Sequence, residues 1–210
     1  NILGKAVEID QVLKEHEQIM DVYDPEKRVA LFLDEWGTWF DVELGTNPGH
    51  LYQQNTMRDA MVAALSLNIF HGHTDRLRMA NIAQIVNVLQ SMILTKGNEI
   101  VLTPTYHVFR MFNVHQGARF VPTDCDAAKG TAPSGKQYPL VSVSTSHSED
   151  GSFNVSIANP SLDGKQTVEL EFDTLKPSTV KAEILVSSKI SDYNDFGSKD
   201  VVKPAAFKDF

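Results

Sequence analysis

Apolar positions along the chain follow two periods, and the change between them falls near residues 123–139. In the first half, Ile9, Val12, Leu13, His16, Ile19 and Met20 recur at helical spacing until Asp24-Pro25 ends the pattern. A continuous apolar run, Val29 to Leu33, follows without polar alternation. So short a run predicts a strand covered on both faces, the habit of parallel sheets under helices. Leu51 to Phe70 reads as a second helix, with Met57, Met61, Ala64 and Leu65 on one stripe. Arg78 to Val88 fits either a strand or a helix. Thr103-Pro104 offers an N-cap with proline at the first helical position, opening a helix through about Asn113. Helix, buried strand, helix, strand, helix predicts an α/β arrangement.

The second half changes to period two. Phe153, Val155 and Ile157 alternate, as do Val168, Leu170 and Phe172, and Val180, Ala182, Ile184 and Val186. Leu140 to Ser144 is a weaker fourth strand candidate. Asp150-Gly151, Asp163-Gly164 and Lys176-Pro177 separate them, at the spacing of an antiparallel sandwich. Between the halves, Asp124, Asp126, Gly130, Pro133, Ser134, Gly135 and Pro139 read as a linker or long loop. Four candidate strands are too few for a closed two-sheet sandwich, and no strand signal precedes Phe210. An incomplete domain is the expectation.

Composition narrows the partners. With 42% apolar and 22% charged residues, the 210-residue chain fits a folded globular protein rather than a disordered one. Its net charge of -8 argues against a nucleic-acid backbone or an anionic membrane as the main partner. A neutral ligand such as a sugar is compatible with it. No stretch reaches the ~20 apolar residues of a membrane span. Asn1 to Lys14 lack the basic-then-apolar order of a signal peptide, and the compartment stays open. The single cysteine, Cys125, leaves no intrachain disulfide framework and reads as a structural thiol.

The sharpest chemical candidate ends the buried strand: Leu31-Phe32-Leu33-Asp34-Glu35-Trp36-Gly37-Thr38-Trp39. Two carboxylates appear abruptly where a strand would leave the core, and both tryptophans of the chain follow at once. C-terminal strand ends form the active face of parallel βα architectures. Adjacent strand side chains point to opposite sides, so only one of Asp34 and Glu35 can face a barrel axis. Aromatic faces beside a carboxylate suit a sugar ring. The competing reading is a solvated acidic turn with core aromatics. His71, His73 and Asp75 lack an HExxH frame and a fourth ligand, so no metal is expected. His107 and His115 read as structural. No G-x-S-x-G elbow and no glycine-rich phosphate loop is present, and no cofactor is expected. Asn154-Val155-Ser156 is a glycosylation sequon by chance of strand composition.

Leu33-Asp34-Glu35-Trp36-Gly37-Thr38-Trp39-Phe40 is similar to the nucleophile segment of glycoside hydrolase family 51, the α-L-arabinofuranosidases. The likeness continues through Leu51-Tyr52-Gln53-Gln54-Asn55-Thr56-Met57-Arg58-Asp59-Ala60 and Leu67-Asn68-Ile69-Phe70. It then covers Met79 to Gln90 and Thr103 to Phe109, so roughly residues 28 to 122 resemble the family in order and spacing. The resemblance implies a (β/α)8 TIM barrel joined to a β-sandwich. Residues 1–122 would be the C-terminal part of the barrel, about strands 7 and 8 with their helices. Residues 123–138 would be the linker or long loop, and residues 139–210 part of an antiparallel sandwich. It further implies a retaining mechanism on two glutamates, with Glu35 as nucleophile, Asp34 in supporting hydrogen bonds, and Trp39 and Gln84 contacting the sugar. Gly37 and Phe40 depart from the asparagine and tyrosine that many members carry, a difference that bears on fine substrate contacts and not on the nucleophile.

The family's acid/base glutamate sits in an Asn-Glu pair on the fourth strand. No such pair occurs here, since Asn98-Glu99 falls in a turn. The chain therefore reads as a fragment, inactive alone, of an enzyme acting on terminal α-L-arabinofuranosyl groups of arabinan, arabinoxylan or their oligosaccharides. Its expected partners are that glycan and the N-terminal remainder of the parent, and a homo-oligomer is compatible with the family. The rival readings are a noncatalytic carbohydrate-binding or interaction module, and a related barrel glycosidase of other specificity.

Overall fold

A computed structural model describes residues 2–161, 164–173 and 177–209. The first half is built on one parallel strand–helix–strand unit. Helix α1 (Ile2–Ala6) and helix α2 (Glu8–Tyr23) precede strand β1 (Leu31–Trp36), helix α3 (Met57–Gly72) and strand β2 (Leu77–Ile82). β1 and β2 pair in parallel, which resolves the Arg78 to Val88 ambiguity as a strand ending at Ile82. Leu13, Trp36, Ala60, Ala63, Phe70, Leu77 and Val108 form the core beneath this unit. Arg76, 1% exposed, ties the end of α2 to the start of β2 through Asp21 and Asp24.

Two expectations change here. The second helix begins at Met57 rather than Leu51, because Thr56 caps it and forms a reciprocal capping box with Asp59. Residues 51–55 stay irregular, with the Gln53 and Asn55 side chains buried in hydrogen bonds elsewhere. β1 is also not covered on both faces. Leu31 and Leu33 pack on the core while Phe32 is 54% exposed and Met79 beside it 38%. Among the described residues, β1 has only β2 as a strand neighbour, and that second face is left partly open.

A hairpin of β3 (Ile93–Lys96) and β4 (Glu99–Leu102) follows, turning at Gly97 with φ +58°. Helix α4 (Pro104–Phe112) opens with Pro104 at its first position, and the Thr103 hydroxyl accepts from the Tyr106 amide. The stretch 123–138, expected as linker or loop, carries a small hairpin of β6 (Lys129–Thr131) and β7 (Gln137–Pro139), which the short pairing of Lys129 with Pro139 closes. It lies between β5 (Arg119–Val121) and β8 (Ser142–His147), which with β9 (Phe153–Ala158) form a three-stranded antiparallel sheet in the order β5-β8-β9.

Beyond β9 the alternation promises more than it delivers. Val168 to Phe172 forms no strand: Val168 and Leu170 are 39% and 48% exposed, and no described strand pairs with them. Alternation alone cannot hold a strand without a partner to satisfy its backbone. The Val180 to Val186 candidate shrinks to β10 (Ala182–Ile184), paired with an unexpected β11 (Ala205–Phe207) whose Ala-Ala-Phe sequence carries no period. Asp163 and Lys176, expected in turns, lie outside the described residues. The whole is mixed α/β with several separate open sheets. Among the described residues no helix is long and apolar enough to cross a membrane.

Candidate functional site

β1 and β2 end together. The Trp36 carbonyl accepts from the Ala83 amide at 2.8 Å, and Trp36 lies in register with Ile82. Glu35 and Gln84 therefore sit at the same C-terminal end of the parallel pair. The register advances three residues on β1, Leu33 to Trp36, against two on β2, Ala80 to Ile82. This slip of one residue falls on Asp34 and Glu35. Strand alternation is broken there, so the expectation that these two side chains must face opposite ways does not apply. Both carboxylates are exposed. Asp34, expected to hold supporting hydrogen bonds, makes none with its side chain among the described residues.

The two tryptophans separate. Trp36 is only 9% exposed, edge-on to Phe70 at 5.1 Å and stacked with Phe109 at 5.9 Å between ring centroids. It anchors the strand end in the core and offers no face to a ligand. Trp39 is 67% exposed. Gln84 is exposed too and lines an open cleft of about 600 Å³ with His50, Tyr52, Asn87, Lys96 and Phe196. Burial, then the charges of Asp195 and Glu43, push the Tyr52 hydroxyl above its usual range, so it stays a neutral donor there.

Beneath Trp39 lies a buried polar network that sequence reasoning missed. The Thr38 amide donates to Gln90 Oε1 at 2.8 Å, and the Thr38 hydroxyl donates to Asp59 Oδ1 at 2.7 Å. Gln53 Nε2 donates to that hydroxyl at 2.9 Å, while its Oε1 accepts from the Phe40 amide at 2.9 Å. Gln90 Nε2 reaches the Asp59 carbonyl at 2.8 Å and the Thr105 hydroxyl at 3.2 Å. Thr38, Gln53, Asp59, Gln90 and Thr105 are all 3% exposed or less. The available signal was the polar run Gln53-Gln54-Asn55-Thr56, unusual in front of an apolar helix.

The histidines do other work. His71 Nδ1 lies 2.9 Å from Ser144 Oγ on β8, whereas His73 sits between Glu17 at 2.9 Å and Asp10 at 3.0 Å. The two diverge onto different elements. His115 lies between Ser146 and Ser156, each at 2.7 Å. Among the described residues no group of three or more His, Cys, Asp or Glu is arranged to hold a metal. Cys125 is exposed and outside any disulfide, with its Sγ 3.8 Å from the Val141 carbonyl.

A family model described as the alpha-L-arabinofuranosidase C-terminal domain matches residues 34–210. The chain is 53% identical over 207 residues to an intracellular exo-alpha-L-arabinofuranosidase of Bacteroides ovatus, covering 99% of this chain and 40% of that protein. Its identity to a probable alpha-L-arabinofuranosidase C of Aspergillus clavatus is 30% over 177 residues, 80% of this chain and 34% of that one. The GH51 arabinofuranosidase structure from Xanthomonas axonopodis pv. citri matches with TM-score 0.95 and 43% identity, over 98% of this chain and 42% of that one. A family 51 alpha-L-arabinofuranosidase from Bifidobacterium longum matches with TM-score 0.82 at 20% identity, a likeness of fold. The chain thus spans about two fifths of the length of the relatives it matches along nearly its whole extent.

Proposed function

The chain belongs to the α-L-arabinofuranosidase C-terminal domain family, and from that premise we propose that its parent protein is a retaining α-L-arabinofuranosidase with Glu35 as nucleophile. In this reading residues 1–122 are the C-terminal part of a (β/α)8 barrel, residues 123–138 connect it, and residues 139–210 belong to a β-sandwich. The observation that carries the reading is the position of Glu35: it lies at the C-terminal end of a parallel strand, the end at which Gln84 follows β2, on a base fixed by buried Trp36. Strand ends of this kind form the active face of βα barrels. The exposed Phe32 and Met79 support a place for further barrel elements against the open face of β1 and β2.

Retaining hydrolysis needs two carboxyl groups roughly 5–5.5 Å apart. The Glu35 carboxylate attacks the anomeric carbon of a terminal arabinofuranosyl group as the glycosidic C–O bond breaks. An acid glutamate outside this chain gives its proton to the leaving oxygen. Water, deprotonated by that same glutamate, then cleaves the glycosyl–Glu35 ester and releases arabinose with its configuration retained. The exposed ring of Trp39 supplies an apolar face for the sugar, and Gln84 supplies hydrogen bonds to its hydroxyls. Because the second carboxyl is elsewhere, the 210-residue chain alone is inactive. The name of the exo-acting Bacteroides relative supports terminal α-L-arabinofuranosyl groups as substrate; the glycans proposed to carry them are arabinan, arabinoxylan or their oligosaccharides.

Hydrolysis of an aryl α-L-arabinofuranoside by the full-length protein and its Glu35→Gln variant tests this. The variant is expected to keep its melting temperature and lose roughly three orders of magnitude or more in kcat. Unchanged activity in the variant removes Glu35 from the mechanism, and an inactive parent removes the substrate class.

A further inference from the structure

The main chain on either side of Trp39 is held from below. The Thr38 amide and hydroxyl and the Phe40 amide all end on buried side chains, at 2.7 to 2.9 Å. Trp39 itself is exposed, so nothing above it fixes its place. The partner at the bottom of this arrangement is Asp59, 0% exposed on the first turn of α3. Its carboxylate has two tasks. Oδ2 accepts from the Thr56 amide at 2.8 Å and closes the capping box of α3, and Oδ1 accepts from the Thr38 hydroxyl. Arg58 balances the charge, with its Nη2 at 3.0 Å from Oδ2, and its guanidinium lies 3.8 Å over the Phe40 ring.

A helix cap needs only the Oδ2 half of this. At this third helical position an uncharged Gln can take the N-cap amide as well, so closing the box does not by itself call for a buried charge. The Oδ1 half is spent on the loop that follows Glu35, three residues beyond that carboxylate. Gln90 adds a second tie, since it joins the Thr38 amide to the Asp59 carbonyl and to Thr105 on the first turn of α4. The strand-end loop is therefore referenced to the N-terminal turns of two helices.

We propose that Asp59 is a positioning residue for Glu35 and Trp39, acting through the Thr38 hydroxyl. The proposal rests on the reading of Glu35 as nucleophile. Asp59 never meets the sugar; it sets the height and direction of the segment that does.

The test compares Thr38→Val, Thr38→Ser and Thr56→Ala in the full-length protein, with Glu35→Gln alongside. Thr56→Ala disturbs the same carboxylate and the helix cap but leaves the loop bonds in place. Melting temperatures are recorded, and kcat and KM on an aryl α-L-arabinofuranoside are measured well below every melting transition. Thr38→Val is expected to lose about tenfold to a hundredfold in kcat/KM. Thr38→Ser is expected to recover most of it, while Thr56→Ala loses thermal stability but keeps its kinetic constants. Equal kinetics in Thr38→Val and the unmodified enzyme overturn the positioning role while leaving Glu35 intact. Losses in Thr38→Val and Thr56→Ala that track melting temperature alone overturn it too, since that is helix capping. An unimpaired Glu35→Gln overturns both readings together.

Discussion

Gly37 has φ +142°, a backbone conformation that side chains rarely adopt. A Cβ there would also stand 3.3 Å from Gln90 Oε1 and 3.4 Å from the Ala83 carbonyl. Both atoms belong to the support beneath the strand end, so a substitution is strained and crowded together. Gly37→Ala is expected to cost about 1–3 kcal/mol of stability and to loosen the Gln90 bond to the Thr38 amide. Chemical denaturation of the variant checks this, and an unchanged midpoint would show that the loop relaxes freely. Trp36 and Trp39 make the complementary point at the same scale. The sequence places both beside Glu35, with sugar stacking and core packing open for each. Only the burial of Trp36 between Phe70 and Phe109 separates them. Nothing in a one-dimensional pattern records which ring finds two aromatic neighbours from helices that come 34 and 73 residues later.

At the scale of elements, α3 carries the molecule's junctions. One stripe faces the core around Trp36, and another presents Val62 and Leu65 to Leu3 and Ala158. Near its C-terminal end a polar seam runs to the three-stranded sheet. Asn68 exchanges hydrogen bonds with Ser142 and Ser144, and His71 meets Ser144, with the His115 ring at 4.6 Å. Burial, and then the charge of His115, lower the His71 pKa from its usual 6.5 to about 4, and burial lowers that of His115. A histidine that is neutral in the fold but charges freely when unfolded stabilises most fully above pH ~6.5. That contribution shrinks as pH falls toward about 4, by at most about 3 kcal/mol for His71. His71→Gln keeps a polar partner for Ser144 and cannot ionise, so its denaturation midpoint should fall less than the unmodified protein's between neutral pH and about pH 4.5. Equal falls would place the acid sensitivity elsewhere. Helices with local signals, such as Thr103-Pro104 opening α4, are legible in the sequence alone. This seam is not, because its serines lie on β8, 71 and 73 residues from His71, and carry no spacing that marks a contact.

Over the whole molecule, order along the C-terminal third follows tertiary anchorage rather than apolar period. Residues 164–173 alternate well yet form no strand. Residues 187–204 alternate poorly, yet they return to the α/β unit. The Met57 amide donates to the Asp192 carbonyl at 2.8 Å, and the Arg58 amide to the Ile190 carbonyl at 2.9 Å, at the very start of α3. Asn194, 0% exposed, donates to the Leu102 and Val202 carbonyls at 2.8 Å each and accepts from the Val202 amide at 2.8 Å. Arg110 on α4 pairs with Glu183 on β10. Amides that cap a helix start are costly to leave unmet when buried, so this return segment is built into the fold rather than laid on it. Proteolysis reads the difference directly. Lys165 and Lys181 are exposed outside regular structure, whereas Lys189 is tied through its amide to Asp192, and Lys199 pairs with Glu99. Trypsin is expected to cut first after Lys165 or Lys181, because open, unpaired backbone reaches the protease without unfolding. The C-terminal piece should then stay bound to the rest on gel filtration, held by Asn194 and the amides of α3. Early cleavage after Lys189, or release of the piece once the chain is nicked, would show that the return segment is not anchored as these contacts require.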